Sequence, residues 1–222
     1  MDWNAFSLSL KLAAWTSLIL IPVAILLGRV FAWQPFRGRT FVEALFALPL
    51  VLPPTVLGYY LLMGMGGGSP IGRWYEAATG HALVFTFDGL LAASLIFNLP
   101  FAIQPVQRAL ESIPEGLRHA AACCGMSRLR TVWRIELPLA WPGILSALVM
   151  TFAHTLGEFG VVLMVGGNIP GETRTIAIAI YDSVQGFDTV AAGMMSALLL
   201  ALSLAAIGVT YLTAKRPGGA RG

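Results

Sequence analysis

The stretch SIPEGLRHAAACCGMSRLRTVWRIELPLAWPG, Ser112 to Gly143, decides how this chain is read. It is a basic, helix-like segment set between long apolar runs. Ser112 and Glu115 stand three apart, the spacing of a capping box, and Pro114 is tolerated in a first helical turn. The alanines 120 to 122 favour helix. Gly125 then offers the left-handed residue at which a helix stops. Ser127 is placed to cap a second short helix, with Arg128, Arg130 and Arg134 on one side and Leu129, Val132, Trp133 and Ile135 on the other. Pro138 and Pro142 are expected to break the chain before apolar sequence resumes. A helix surfaced with alanine is thin, so it can enter a groove on a partner. The competing reading is an amphipathic loop resting on a membrane surface.

Working outward, the chain is 57% hydrophobic and only 11% charged. Soluble domains average about 45–50% apolar and about 25% charged residues, so this composition is that of an integral membrane protein. A spanning helix needs about 20 mainly apolar residues. Five stretches qualify: Leu12–Phe31, Ala44–Met65, Gly89–Val106, Ile144–Val165 and Thr189–Ala214. The fold expected is all-α and polytopic, one domain over residues 1–222. Pro22 is a potential kink in the first span, and Pro49, Pro53 and Pro54 must distort the second. Small residues such as Ala92, Ala93, Ser94, Ser196, Ala197 and Ala201 would let helices approach closely. Thr175–Tyr181 is too short to span and is expected to lie against one membrane face. The first apolar run follows Asp2 and shows no cleavage site of a signal peptide.

Eleven of the fourteen Lys and Arg residues fall on one side if the loop after the first span, the Ser112–Gly143 segment and the tail share that side. They are Arg29, Arg37, Arg39, Arg108, Arg118, Arg128, Arg130, Arg134, Lys215, Arg216 and Arg221, against Lys11, Arg73 and Arg174. The positive-inside rule then puts the opening stretch and the C-terminus in the cytoplasm and the N-terminus outside. The net charge of +3 arises at span ends and is no sign of nucleic-acid binding. Cys123 and Cys124 are adjacent on the cytoplasmic side and read as small fillers.

Within this frame the spacing of the opening stretch resembles the EAA loop of importer-type ABC permeases, whose pattern is E-A-A-x3-G-x9-I-x-L-P. Ala120, Ala121, Gly125, Ile135, Leu137 and Pro138 match, and His119 stands where the family has Glu. The resemblance implies that these seven positions form a coupling helix seated in a groove of a separate ATPase subunit. ALPLVLPPTVLGYYLL (Ala47–Leu62) and TLGEFGVVLMVGGNIPGETRTIAIAIY (Thr155–Tyr181) are similar to the molybdate permeases. Sulfate permeases share the Gly-Glu-Phe-Gly element and differ in the later run Asn168–Thr175, so tungstate and sulfate remain neighbouring substrates. The family implies a permease homodimer in lipid, in the inner membrane of a prokaryote, with two ATPase subunits and an external molybdate-binding protein. ATP and Mg belong to the ATPase. This chain has no Walker motif, needs no cofactor or metal of its own, and is not expected to be an enzyme.

Glu158 is read as the one acid at the edge of an apolar run, near the outer end, with His154 four residues earlier on the same helical face. A structural hydrogen bond, to His154 among others, competes there with a proton relay or a gating role. An oxyanion pathway needs only weak neutral donors, and Thr55, Tyr59, Ser146 and Thr151 are candidates, with backbone N–H groups freed near Pro53 and Pro54. Such residues serve equally to bond neighbouring helices. Glu172 and Arg174 lie in the external loop Asn168–Thr175, which either docks the binding protein or closes the outer end. The glycines 64, 66, 67 and 68 lack the Gly-Lys-Ser/Thr ending of a phosphate loop and read as a turn. An ion-coupled transporter would show internal repeats and mid-membrane charges, and neither repeat nor charge beyond Glu158 is found. No arrangement suggests an intramembrane enzyme.

Overall fold

In the computed structural model the described residues are 1–214, with side chains to residue 210. Lys215, Arg216 and Arg221, used above for orientation, lie outside the described residues. Helix α1 runs Trp3–Trp33, and the Asp2 carboxylate caps it by accepting from the Ala5 N–H at 2.9 Å. It begins nine residues before the expected span and continues through Pro22. Its buried residues recur every three or four positions, from Ser9 and Leu12 to Gly28 and Phe31. That stripe packs on α5 (Phe87–Glu111) and on α8 (Leu137–Gly157).

These three helices meet on small side chains. Ala13, Ala24, Ala93, Ala102, Ala140 and Ala147 are fully buried. A polar ladder crosses the same contact. Thr16 Oγ1 donates to Ser94 Oγ at 2.8 Å, and Asn98 Nδ2 donates to the Ser94 carbonyl and to Thr155 Oγ1, both at 2.9 Å. Ser94 and Asn98 have no solvent exposure. In a lipid setting such groups must be satisfied inside the protein, and here each one ties two helices together. Ser196, Ala197 and Ala201, by contrast, point outward from α11 (Thr189–Ala214).

The second predicted span is broken. Helix α2 (Arg39–Val51) and helix α3 (Pro54–Met65) are bent by 113° at Leu52–Pro53. Pro53 and Pro54 cannot donate to the preceding turn, so the ladder ends there. The halves join opposite ends of the bundle. Val42 and Phe46 of α2 pack with Phe31, Val106 and Leu110, whereas Leu57 and Met65 of α3 pack with Leu12, Leu90 and Val165. The pair therefore bridges both ends. α4 (Pro70–Thr79) follows a glycine turn and is capped by Ser69.

The fourth predicted span, Ile144–Val165, also needs correction. A helix enters at Arg128, continues to Gly157 and stops; a separate helix, α9 (Gly160–Gly166), takes over. Pro138 and Pro142 do not break it. A π-helical turn, Val132–Glu136, widens the helix just ahead of Pro138, with the Leu137 N–H donating to the Val132 carbonyl. The wider turn accommodates a ring that lacks a donor and crowds the turn before it. The expected short helix after residue 175 is α10 (Ile176–Gln185). It does not simply lie on a face: Ile176, Ile178 and Ala179 are buried, Ile176 and Ala179 beside Ala5 and Met195.

The α5–α8 contact is tight at Gly143. A Cβ there would collide with Ala109 Cβ and lie 2.7 Å from the Pro105 carbonyl oxygen. Gly143→Val is expected to destabilise the bundle by about 1–3 kcal/mol, the usual cost of overpacking. Gly193→Ala, which meets open space on α11, should be neutral or slightly stabilising. Thermal unfolding of the detergent-solubilised chain checks both; a native midpoint for Gly143→Val would contradict the packing.

Candidate functional site

The opening stretch forms a helical hairpin. Helix α6 (Glu115–Cys123) ends at Gly125, whose φ is 72°. Met126 N–H donates to the Ala121 carbonyl and Gly125 N–H to the Ala122 carbonyl, each at 3.0 Å. This is the paired C-terminal motif that a left-handed glycine permits. Ser127 then caps α7 (Arg128–Thr131) through the Arg130 N–H. Ser112 does not cap α6; it ends α5, its hydroxyl donating to the Ala109 carbonyl at 2.8 Å. Of the seven positions aligned with the coupling pattern, His119, Ala120, Gly125 and Pro138 are exposed, and Ile135 and Leu137 are half-buried. Ala121 turns inward and is 4% exposed, so it packs the hairpin and is not offered to a partner.

The hairpin is pinned by a residue that the sequence reading passed over. Glu136 is 1% exposed. Its carboxylate accepts from Arg29 Nε at 2.7 Å and from a second Arg29 nitrogen at 3.4 Å. Arg118 Nε lies 3.6 Å away, and the Arg118 guanidinium sits 3.9 Å from the Trp33 ring centre. The end of α1, helix α6 and the π-turn are thereby held at one point. Glu158 is not the lone acid bordering an apolar run: Glu136 heads the buried stripe Ala140, Ile144, Ala147 and Thr151 on α8. That periodicity was the available signal.

At mid-bundle the two broken helices meet. Pro54 Cβ lies 2.7 Å from where a Gly160 Cβ would stand, so the start of α3 abuts the start of α9. Glu158 occupies the α8–α9 break, and its Oε1 accepts from the Val161 N–H at 2.9 Å, capping α9. A structural hydrogen bond is thus present, but to backbone and not to His154. His154 Nδ1 is 3.0 Å from Asn98 Oδ1, and the imidazole stacks on Phe101 at 4.0 Å. Thr155 donates to the Thr151 carbonyl, so it accepts from Asn98 Nδ2; Asn98 Oδ1 is left as acceptor and His154 Nδ1 carries the proton. His154 and Glu158 line one pocket with Leu52, Pro54 and Phe97.

The four candidate pathway residues do not converge as a set. Thr55 and Tyr59 share an exposed face of α3 one turn apart. Ser146 donates to the Pro142 carbonyl at 2.9 Å. Thr151 is fully buried within the chain and faces no open path. In the loop Asn168–Thr175, Arg174 is engaged internally, 3.0 Å from Asp182 and 3.6 Å from Asp2. It closes the end of the bundle, while Glu172 is exposed beside Lys11 and Asp88. Among the described residues no three His, Cys, Asp or Glu side chains group as a metal site.

A broken-helix bundle carrying an exposed two-helix hairpin is the architecture of an ABC transporter permease. A bacterial ABC transporter involved in import of the acidic polysaccharide alginate has the same fold, with a TM-score of 0.74 at 19% identity, over 94% of this chain and 78% of that one. The MetNI methionine transporter in an inward-facing form gives 0.65 at 18% identity, over 96% and 94%. Residues 21–216 match the model described as binding-protein-dependent transport system inner membrane component, and the chain belongs to that family of multi-pass inner-membrane permeases. Its relatives include the molybdenum transport system permease protein ModB of Azotobacter vinelandii, 40% identical over 98% of this chain and 96% of that one. The ModB protein of Escherichia coli K12 is 37% identical over 83% and 80%. A probable sulfate transport system permease, cysT of Prototheca wickerhamii, is 29% identical over 90% and 78%.

Removing a partner from a buried ion pair costs about 3–5 kcal/mol; Arg29 and Arg118 are 29% and 30% exposed, so roughly 2–3 is expected here. Glu136→Gln should therefore loosen the hairpin while the bundle stays folded. Trypsin should cut faster after Arg128 and Arg130, with unchanged cleavage elsewhere. Native cleavage kinetics would show that the carboxylate does not hold the hairpin.

Proposed function

We propose that this chain is the membrane subunit of an ABC importer for molybdate, working as a homodimer with two ATPase subunits and an external binding protein. The observation that carries the substrate is the 40% identity to a molybdenum permease along nearly the whole chain, against 29% for a sulfate permease. The count of basic residues supports a hairpin facing the cytoplasm, with the N-terminus outside and the C-terminus inside.

The geometry suggests how nucleotide is felt. ATP closure in the partner subunits draws the hairpins together. Each hairpin moves α1 through Arg29 and Glu136. It also moves the uninterrupted helix Arg128–Gly157, whose far end is the Glu158 junction between α8 and α9. That junction touches the α2–α3 break through Pro54, so a displacement at the hairpin reaches both helix breaks. The breaks are where the pathway can open, with Thr55 and Tyr59 as weak donors; the Val56 and Leu57 N–H groups at the α3 start are already taken by the Pro53 carbonyl. ATP drives the change only through contacts that differ between the two states. This chain's part is non-catalytic.

Sulfate uptake is the second reading, favoured by the sulfate relative's match over 90% of the chain. The test is ATP-driven uptake by the reconstituted complex with its cognate binding protein, offered molybdate, tungstate and sulfate in competition. Molybdate should dominate over sulfate, with tungstate competing. Uptake dominated by sulfate, with molybdate failing to compete, would replace the molybdate assignment.

A further inference from the structure

The hairpin carries a cleft of about 400 Å³ between its two arms, lined by Trp33, Arg118, His119, Arg128, Thr131 and Glu136, with Arg29 behind. Its charges do not balance. Both Glu136 oxygens face Arg29 nitrogens. Arg118 sits over the Trp33 ring and approaches the carboxylate no nearer than 3.6 Å, beyond hydrogen-bonding distance. Arg128 enters no ion pair among the described residues and is exposed at the start of α7. Three guanidinium groups thus line a cleft that holds one carboxylate, paired by two of them, and Glu115 is the remaining acid of the hairpin. The cleft is built to accept an anion.

The surroundings identify the kind of anion. Leu117, Leu129 and Trp133 stand 45%, 68% and 66% exposed on the hairpin. Ala120, Ala122, Cys123 and Cys124 are exposed as well, a surface low enough for another backbone to come close. An inorganic ion gains nothing from exposed leucines. A membrane-surface helix would carry bulky apolar residues where α6 has alanine and cysteine. Exposed aromatic and aliphatic side chains around arginines with free donors are the composition of a protein–protein contact. A side-chain carboxylate matches the planar fork of Arg118 or Arg128.

We propose that this cleft receives a carboxylate from the ATP-hydrolysing partner, so that in this complex the permease supplies the cations and the ATPase the acid. This rests on the proposed importer function and adds the charge sense of the contact. His119, exposed beside the cleft, fits the same sense, since it places no acid there. Attraction between oppositely charged patches speeds docking and excludes partners with basic grooves.

The test uses the full permease with its cognate ATPase subunit, in nanodiscs of phosphatidylethanolamine and phosphatidylglycerol, lipids without carboxylates. Arg128→Glu should weaken ATPase binding at least tenfold and Arg128→Ala less. The native affinity should fall with salt more steeply than that of Arg128→Ala. Arg128→Lys should retain binding and, with a zero-length carbodiimide, join to an Asp or Glu of the ATPase; the chain's own lysines are only Lys11 and Lys215. Native affinity in Arg128→Glu, or an ATPase-bound Arg128→Lys that forms no such link, overturns the proposal, as does an Arg128 effect seen only as a changed dependence on phosphatidylglycerol. Failure of the native chain to bind the ATPase at all would instead overturn the importer reading.

Discussion

The contact between Arg29 and Glu136 is the constraint on which the working geometry depends. A carboxylate at 1% exposure is stable only if its charge is met inside the protein. Here one oxygen lies 2.7 Å from Arg29 at the end of α1, and Arg118 of α6 completes the cluster over Trp33. The π-turn before Pro138 keeps the helix continuous, so the pinned hairpin and α8 form one piece. A loop resting loosely on the membrane would need none of this. The cluster makes the hairpin a lever whose arm reaches the middle of the bundle.

What the lever acts on is a pair of helix breaks held by different chemistry. The α2–α3 break comes from two prolines that cannot donate. The α8–α9 break has no proline; Glu158 ends one helix and caps the next. Beside them the Thr16–Ser94–Asn98–Thr155 ladder fixes α1, α5 and α8 as a rigid frame. Rigid frame and interrupted helices are complementary: motion is confined to the places where backbone bonding has already been given up.

Much of this was legible in the sequence, for identifiable reasons. Hydropathy located the spans because lipid demands long apolar runs, and the proline cluster announced the second break. The hairpin, its Gly125 turn and the Ser127 cap were readable from local chemistry. Hydropathy could not see the break at Glu158, because Val161 to Val165 are as apolar as a continuing span. Ser112 misled because its hydroxyl suits the end of one helix as well as the start of another. Glu136, Thr151 and Arg174 could not be placed from local sequence. Each takes its role from a residue distant in sequence or from its depth in the bundle, such as the 107 positions between Arg29 and Glu136. Spacing along the chain does not encode that pairing.

The rigid link between hairpin and α1 is open to direct measurement. Spin labels can be placed at Cys124, with Cys123→Ser, and at Leu26→Cys on the exposed side of α1. Labelled chains diluted with unlabelled ones then report the distance within one subunit by pulsed electron resonance. With Glu136 intact, one narrow distance should persist whether the ATPase holds ATP or ADP, because hairpin and helix move as a unit. A distance that shifts or broadens with nucleotide would mean that the hairpin moves independently of α1, and the lever account would be wrong.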